Sequence, residues 1–381
     1  MTDEQPLGVL DLTGRNVGFI RRKEASYFPS KQDIHVGQKL IQQFDLRTGD
    51  ELTGEVGQPP GRGKSPTLRR VTSINGRDPQ SLNGRPEFTK LGATHPREQL
   101  RLECKLETMK GKEHINRVID LLCPFGKGQR AMIVAPAKAG KTTVLQTVAE
   151  GVVRNHPEAR LFILLVDERP EEVTEVELCG FGEVIASSFD NPVERHVQAA
   201  ELTLERARRR VELGEDVVII LDSITRLARA YNTVERGSGR TLTGGLDAEA
   251  MEEPKRFLGS ARNIDPAKGG GSLTIISTAL IDTGSKMDTV IFEEFKGTGN
   301  SELTLSRELA DRRIFPAIDI NASATRREEL LLDEESLKVS HMLRNHLAKL
   351  DPADAMNELL GAMKRTDSNA ELVQQTANRE I

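Results

Sequence analysis

The first 75 residues alternate short apolar segments with groups of turn-forming residues. The segments are GVLDLT, NVGFIRR, DIHVG, DELTGEVG and TLRRVTSI, and residues such as Gly, Pro, Ser and Asp separate them. Apolar segments of this length between polar turns predict about five short strands. A helical segment, GQKLIQQFDL, lies between the strand pairs. We therefore predict a small closed β-barrel over residues 1–75, of the kind that binds oligonucleotides.

Residues 76–95, GRDPQSLNGRPEFTKLGATH, are rich in Gly, Pro and Asn and show little periodicity. This composition predicts a linker, so we place the domain boundary there and assign residues 96–381 to a second domain. The last segment, KRTDSNAELVQQTANREI, has weak periodicity, which predicts a frayed terminus.

After the linker the pattern changes to continuous apolar runs alternating with amphipathic helices. Strands are predicted over 130–135, 161–166 and 217–221, and within GEVIASSF and SLTIISTAL. A helix over 140–155 carries Val144, Leu145, Val148 and Val152 on one face, and a longer helix ends at Gly214. Continuous apolar strands are covered on both faces, so the second domain is predicted to be an α/β domain with a parallel sheet.

Length and composition limit the possible classes of protein. At 381 residues the chain is long enough for two domains, and 37% hydrophobic with 29% charged residues is typical of a soluble globular protein. No apolar run approaches the roughly 20 residues that span a bilayer, and the N-terminus MTDEQ lacks the order of a signal peptide. We therefore expect a cytoplasmic protein. The three cysteines are widely spaced, so neither disulfides nor a zinc site is expected.

Net charge is unevenly distributed along the chain. Residues 1–90 carry 14 Lys and Arg against 11 Asp and Glu, an excess of +3, whereas the whole chain carries -5. This is compatible with a polyanionic partner, but so small an excess more often indicates only a solvated surface. Charge alone therefore does not identify a nucleic-acid binder.

The segment APAKAGKTT, residues 135–143, lies between a predicted strand and a predicted helix. It matches the P-loop pattern GxxxxGK[ST] at Gly140, Lys141 and Thr142, with Ala135 in place of the first glycine. In such a loop the backbone amides surround phosphates, the lysine neutralises them, and the Thr hydroxyl binds Mg²⁺. We predict a site for ATP and Mg²⁺, the alternative being a helix cap with an incidental lysine.

Two predicted strands end in carboxylates. Asp222 follows five apolar residues, the Walker B arrangement, where it can reach Mg²⁺. Asp167 and Glu168 end another strand, and Glu168 is suited to polarise an attacking water. The alternative for each acid is simple strand termination.

Hydrolysis also requires cations that stabilise the transferred phosphoryl group. The segment ADRRIFPAIDINASATRREELL contains Arg312, Arg313, Arg326 and Arg327. One of these could act as a finger from a neighbouring subunit, but the residue pattern does not choose among them, and ordinary surface arginines remain the alternative.

Eight segments taken together resemble one family. APAKAGKT, DERPEEVTE, LDSITRLARAYN, LTGGLDA, PKRFLGSARN, TALIDTGSKMD, EEFKGTGN and RRIFPAIDINASATRREELL are similar, in collinear order, to the Rho family of transcription termination factors. The resemblance runs from roughly Leu7 to Ala362.

This resemblance implies a fold and an activity. The fold is an α/β RecA-type P-loop NTPase core with a parallel sheet, preceded by a small all-β OB-fold (cold-shock-like) RNA-binding barrel. The activity is that of a homohexameric RNA-dependent ATPase and helicase, which moves along single-stranded RNA and releases transcripts from RNA polymerase. Two alternatives remain: a passive RNA-binding regulator whose ATP holds a ring together, and a rotary or secretion-type ATPase with the same core.

The resemblance also assigns roles to residues at the nucleotide. Catalytic roles fall on Lys141, Glu168, Asp222 and, as the finger acting in trans, Arg326, with Arg313 a second candidate at the subunit interface. Thr142 and Asp222 would bind Mg²⁺. The nucleotide contacts implied are Gly126, Lys127, Gly128, Gln129, Arg130, Ala131, Lys138, Ala139, Gly140, Lys141, Thr142, Thr143 and Arg169.

RNA contacts are implied in both domains. In the barrel they are Asn16, Val17, Gly18, Phe19, Ile20, Arg21, Asp33, Ile34, His35, Gly63, Lys64 and Ser65. In the second domain they are the central-channel residues Thr241, Leu242, Thr243 and Lys286. Val17, His35 and Ser65 stand where aromatic residues are usual, which reduces the surface available for base stacking.

Overall fold

The computed structural model describes residues 5–14, 17–59, 61, 65–234, 244–247 and 249–378. Five strands near the N-terminus form a closed barrel in the order β1-β2-β3-β5-β4, and a short helix follows β3, as predicted. These elements are β1 (Gly8–Gly14), β2 (Val17–Arg21), β3 (Ile34–Gly37), α1 (Gln38–Gln43), β4 (Glu51–Gly57) and β5 (Thr67–Ile74).

Alternation along the strands fills the barrel. Leu10, Ile20, Ile34 and Leu52 are fully buried in one apolar cluster, whereas neighbours such as Asp11, Phe19 and His35 are only partly buried. Gly18 also faces inward, since a Cβ there would lie 2.8 Å from the side chains of Leu10 and Leu12. Val17, Phe19 and Arg21 therefore lie on the outer face, because successive residues of a strand point to opposite sides.

The remaining strands form a mostly parallel sheet with the path β14-β13-β7-β12-β10-β8-β9. Antiparallel β14 lies at one edge, and β6 and β11 pair beside β12. The strands are β6 (Ala93–Thr94), β7 (Arg130–Pro136), β8 (Arg160–Glu168), β9 (Glu183–Ser188), β10 (Asp216–Asp222), β11 (Arg262–Ile264), β12 (Ser272–Ile281), β13 (Ser301–Thr304) and β14 (Ala324–Thr325). All five strands predicted for this domain are present.

Helices pack on both faces of the sheet, and the sheet separates the core into two apolar clusters. They are α2 (Glu113–Leu122), α3 (Lys141–Asn155), α4 (Pro170–Cys179), α5 (Val193–Val211), α6 (Ile224–Val234), α7 (Glu252–Gly259), α8 (Lys286–Lys296), α9 (Arg307–Asp311), α10 (Glu334–Leu347), α11 (Pro352–Met363) and α12 (Asn369–Ala377). None of the helices within the described ranges is both long and apolar enough to cross a bilayer.

Helix α5 also joins the barrel to the sheet domain. Arg210 donates to the Asn75 carbonyl and to Glu51, both at 2.9 Å, and Arg206 forms a fork with Glu183. The approach is close: a Cβ at Gly49 would lie 2.4 Å from the backbone of Glu205. Arg206 and Arg210, near the end of α5, therefore line an interdomain seam.

Two predicted irregular segments are ordered. In residues 76–95, Arg85 binds both oxygens of Asp50 at 2.6 Å and Phe88 is buried against the guanidinium of Arg262, so the predicted linker is packed into the seam. The prediction of a frayed terminus is wrong for α12, because Arg117 bonds to the Thr366 carbonyl and to Asn369 and thereby fixes the start of that helix.

Candidate functional site

The P-loop connects β7 to α3, as its sequence predicts. The strand ends at Pro136, the helix begins at Lys141, and Gly140 between them has a φ of 90°, a conformation that favours glycine. Lys138 is exposed and Ala139 is buried beneath the loop. The amino end of α3 thus faces outward with free backbone amides, an arrangement that binds phosphate.

Lys141 contacts both predicted acids. Its Nζ lies 2.5 and 2.7 Å from the carboxylate oxygens of Asp222 and 3.1 Å from Oε1 of Glu168. Because β8 and β10 are adjacent and parallel, with Asp222 opposite Leu165, their carboxyl ends meet at one edge. Burial lowers the pKa of Lys141, but the two carboxylates raise it by more, so the ammonium form is favoured.

Glu168 has one oxygen available for a further hydrogen bond. Its side chain is 2% exposed, and Oε2 has no hydrogen-bond partner among the described residues. Burial, followed by the charge of Asp222, raises the pKa of Glu168, whereas Lys141 and Arg226 oppose this rise. Thr142, Glu168 and Asp222 line the same small cavity, together with apolar side chains such as Leu145 and Ile163.

A second cavity lies on the other side of the P-loop, and no motif or periodicity along the chain predicts it. It has a volume of about 290 Å³ and is lined by Lys138, Gly140 and Thr143 of the loop, together with His114 and Phe315. Phe315 is 46% exposed, and a Cβ at Gly140 would lie 3.8 Å from its ring. This aromatic side chain comes from a segment 175 positions after Gly140, so local spacing could not reveal it.

The segment Gly126–Ala131 does not lie at the P-loop of its own chain. It precedes and begins β7, whereas the P-loop follows the end of β7, so the two are separated by about 20 Å along the strand. Asn300 accepts from the backbone amide of Arg130 and, through its own carbonyl, from that of Arg326. The predicted nucleotide residues therefore form two groups, at opposite ends of β7.

The four candidate arginines also lie in different places relative to β7. Arg313 precedes the Phe315 wall of the P-loop cavity, whereas Arg326 is exposed at the opposite end of the strand. Arg327 pairs with Glu329 at 2.5 Å and Arg312 with Glu308 at 2.9 Å, both at the surface. Arg169 is exposed directly after Glu168, at the P-loop edge.

The outer face of the barrel brings the predicted RNA residues together. Phe19 and His35 are opposite each other on β2 and β3, with ring centroids 5.8 Å apart in an edge-to-face arrangement. Arg21 lies 5.5 Å from the Phe19 ring and binds Asp33 at 2.5 Å and Asp11 at 2.6 Å.

The other predicted RNA residues of the barrel are not all on this face. Val17 is exposed at one end of it, whereas Gly18, Ile20 and Ile34 point into the barrel. Asn16, Gly63 and Lys64 lie outside the described residues, and Ser65 is half-buried.

Helix α6 connects the carboxylate edge to the segment that carries Lys286. At its start Arg226 lies 3.4 Å from Glu168, and one turn later Arg229 binds both oxygens of Asp288 at 2.7 and 2.5 Å. Asp288 is in the first turn of α8, which begins at the exposed Lys286. The predicted channel residues Thr241, Leu242 and Thr243 lie outside the described part of the chain, but Gly244, which follows them, packs against the backbone of Lys286 and Met287.

Two family models match this chain. The nucleotide-binding domain of the ATP synthase alpha/beta family matches residues 116–325. The RNA-binding domain of the Rho termination factor matches residues 7–80. Together with the barrel and the parallel sheet, these matches confirm the predicted fold class.

Relatives of known name align along almost the whole chain. The transcription termination factor Rho of Gemmatimonas aurantiaca is 55% identical over 359 residues, which cover 94% of this chain and 48% of the relative. That of Cereibacter sphaeroides is 50% identical over 364 residues, covering 96% of this chain and 85% of the relative. The chain thus spans about half the length of the first relative and most of the second.

A solved structure shares the core. A prototypical ATPase from the type III secretion system of pathogenic bacteria superposes with a TM-score of 0.59 at 25% sequence identity, over 74% of this chain and 75% of the other.

Proposed function

The chain belongs to the Rho family of transcription termination factors, and on this premise we propose that it is an RNA-dependent ATPase and helicase that releases transcripts from RNA polymerase in the cytoplasm. The observation that carries the proposal is the contact of Lys141 with both Asp222 and Glu168, at an edge that α6 connects to Lys286. A site for nucleotide hydrolysis and a cation suited to RNA phosphates are thus attached to one helix.

Each residue at the P-loop edge has a task in hydrolysis. Lys141, already charged, transfers its contact from the carboxylates to the β- and γ-phosphates, while the amides at the start of α3 hold the phosphate oxygens. Glu168 uses its unpartnered Oε2 to orient the attacking water. Arg226 holds the Glu168 carboxylate in place through its contact with Oε1.

Mg²⁺ fits the oxygen atoms available at this edge. Thr142 and Asp222 line one cavity, and a hydroxyl and a carboxylate are oxygen ligands of the type that Mg²⁺ prefers. Thr278 donates to Asp222 Oδ1 at 2.7 Å and thereby orients the carboxylate. When bound, the metal neutralises charge on the phosphate oxygens.

The arginine that stabilises charge on the transferred phosphoryl group comes from a second subunit. Arg326 and the P-loop lie at opposite ends of β7, so one chain cannot bring Arg326 to its own nucleotide. In a ring of identical subunits, here a homohexamer, the Arg326 end of one subunit faces the P-loop edge of the next. Gln129 and Arg130 accompany Arg326 to that neighbouring nucleotide.

RNA binds at two places with different chemistry. On the barrel, bases stack on Phe19 beside His35, and Arg21 is held rigid by its two carboxylates. In the ring channel, Lys286 contacts phosphate through its charge, which is independent of sequence and sensitive to salt.

ATP hydrolysis measured with and without homopolymer RNA tests the proposed function. Poly(C) or poly(U) should stimulate hydrolysis many-fold, and Phe19→Ala should shift this stimulation to higher RNA concentration, since stacking contributes about 1–3 kcal/mol per base. The exposed Val153→Ala serves as the control and should match the unaltered protein. If no RNA stimulated hydrolysis, the proposed motor activity would be rejected in favour of a passive RNA-binding regulator.

Arg229→Gln should weaken the stimulation of ATP hydrolysis by RNA. The substitution removes the fork to Asp288, so the segment with Lys286 loses this ion pair to α6. Couplings between two sites are typically 5- to 150-fold, and we expect RNA stimulation to fall within that range while nucleotide affinity stays within about threefold. Arg256→Gln, which breaks only surface pairs with Glu252 and Glu253, is the control. Full stimulation in Arg229→Gln would contradict this role for α6.

A further inference from the structure

A buried histidine lies close to the carboxylate edge, although it has no role in the hydrolysis described above. His196, near the start of α5, is 4% exposed, and its Nδ1 lies 2.7 Å from the hydroxyl of Ser187 on β9. Its Nε2 lies 4.0 Å from Oδ1 of Asp167, the residue that precedes Glu168. His196 therefore connects the interior of the sheet domain to the end of β8.

Asp167 occupies a β-bulge between β8 and β9. Val166 pairs with Ser187 and Glu168 pairs with Ser188, so Asp167 has no opposite residue on β9. Its φ of 56° lies in the left-handed region, which is unfavourable for a residue other than glycine. Bulges beside functional sites redirect side chains, and this one immediately precedes Glu168.

The bulge allows one cation to contact two consecutive carboxylates. In a regular strand Asp167 and Glu168 would point to opposite faces. Here Nη1 of Arg226 lies 3.7 Å from Oδ2 of Asp167, and its Nη2 lies 3.4 Å from Oε1 of Glu168. Because the Arg226 side chain is 25% exposed, it would move more freely without Asp167. The contact with Asp167 therefore limits where Arg226 holds Glu168.

The contact of Arg226 with Glu168 becomes more important when a nucleotide binds. Among the described residues, only Lys141 and Arg226 form ion pairs with Glu168. In the proposed function Lys141 transfers its contact to the phosphates, which leaves Arg226 as the cation that holds Glu168. The orientation of Glu168 toward the attacking water then depends on the groups that hold Arg226.

We propose that His196 is a positioning residue for ATP hydrolysis, which acts on Asp167 and, through Arg226, on Glu168. This role rests on the proposed function. The Ser187 hydroxyl donates to Nδ1, so the ring proton is on Nε2 and faces the negative charge of Asp167. The other tautomer would direct a lone pair at the carboxylate.

The charge state of His196 agrees with this arrangement. Burial lowers the pKa of His196, and the charge of Asp167 opposes that effect only in part, so the neutral ring with one proton is favoured. At 4.0 Å its contact with Asp167 is electrostatic rather than a hydrogen bond, and it acts on a carboxylate that is 38% exposed. His196 thus restrains a partly mobile acid without approaching the nucleotide.

The test compares kcat and KM for ATP, with saturating poly(C), in the unaltered protein and two variants. A misplacement of about 1 Å can cost about 100-fold in rate, so His196→Leu should lower kcat by about 5- to 50-fold. KM should stay within about threefold, because the P-loop is not altered. His196→Gln retains an N–H donor and should recover part of kcat. Equal losses of kcat in the two variants, or no loss in His196→Leu, would overturn the proposal.

Asp167→Asn tests the same series of contacts at a partly exposed position, so its result does not depend on how His196→Leu folds. Asparagine tolerates the left-handed conformation but lacks the charge, and kcat should fall by a factor similar to that of His196→Leu. Combining the two substitutions should lower kcat by less than about twofold more, because His196 acts through Asp167. Losses that multiply in the double variant, or an unchanged kcat in Asp167→Asn, would contradict this role.

His156→Gln is the matched control. His156 is also buried, at 7% exposed, and its Nδ1 lies 3.5 Å from Glu158, but it follows the end of α3 that is remote from the P-loop. Its kcat should stay within about twofold of the unaltered protein, and a loss equal to that of His196→Leu would overturn the specific role of His196. Absence of hydrolysis in the unaltered protein would instead reject the proposed function itself.

Discussion

Arg326→Ala should reduce RNA-stimulated ATP hydrolysis by about 10³- to 10⁵-fold, the range of arginine fingers supplied in trans. The side chain is exposed at the end of β7 opposite the P-loop, so its removal leaves the subunit's own phosphate-binding residues intact. Nucleotide affinity should therefore change little compared with the rate. Arg312→Ala, an exposed arginine paired with Glu308 and Asp351, is the matched control.

A mixing experiment shows whether Arg326 acts across the subunit boundary. Subunits carrying Arg326→Ala have an intact P-loop, and subunits carrying Lys141→Ala have an intact finger. Each preparation alone should be inactive, but a 1:1 mixture should regain measurable hydrolysis at those boundaries where an intact P-loop meets an intact Arg326. A mixture as inactive as its components would mean that Arg326 does not reach a neighbouring nucleotide.

Glu168→Gln should lower the rate of hydrolysis by about 10²- to 10⁴-fold, the usual contribution of general acid–base catalysis. Glutamine has nearly the same shape, but it removes the charge that attracts the proton of the attacking water. Binding of ATP should persist, because the substitution leaves Lys141 and the amides at the start of α3 in place to hold the phosphates. Equilibrium binding of a fluorescent ATP analogue, measured beside hydrolysis, distinguishes the two effects.

Glu171→Gln is the control for this prediction. Glu171 is exposed in the first turn of α4, three residues after Glu168, and it makes no contact with Lys141. A Glu168→Gln protein with near-normal turnover would exclude Glu168 as the residue that orients water.

The parts of the site that depend on local sequence could be predicted. Strand, loop and helix follow one another around Lys141, and acids that end parallel strands must meet at one edge, which is why Asp222 and Glu168 were found. Phe315 and His114 come to the P-loop from segments far away in the chain. Their contribution depends on how α2 and the segment after α9 pack, and periodicity carries no information about that.

Sequence patterns also did not show which residues lie together at the same end of a strand. Gly126–Ala131 and the P-loop are close in sequence, yet β7 holds them about 20 Å apart. Likewise, arginines near the end of α5 suit the helix dipole in isolation, and only the folded chain shows that Arg206 and Arg210 are buried against Glu51 of the barrel. Low periodicity in residues 76–95 concealed a packed segment, because single buried side chains such as Phe88 leave no repeating pattern.

The seam along α5 has a consequence for how the molecule comes apart. Arg206, Arg209 and Arg210 are each more than nine-tenths buried between acids. Separating the barrel from the sheet domain would break the pairs of Glu51 with Arg206 and Arg210 and uncover the surfaces that pack closely around Gly49. Each domain is therefore stabilised by its contact with the other, and the chain should unfold in one cooperative thermal transition.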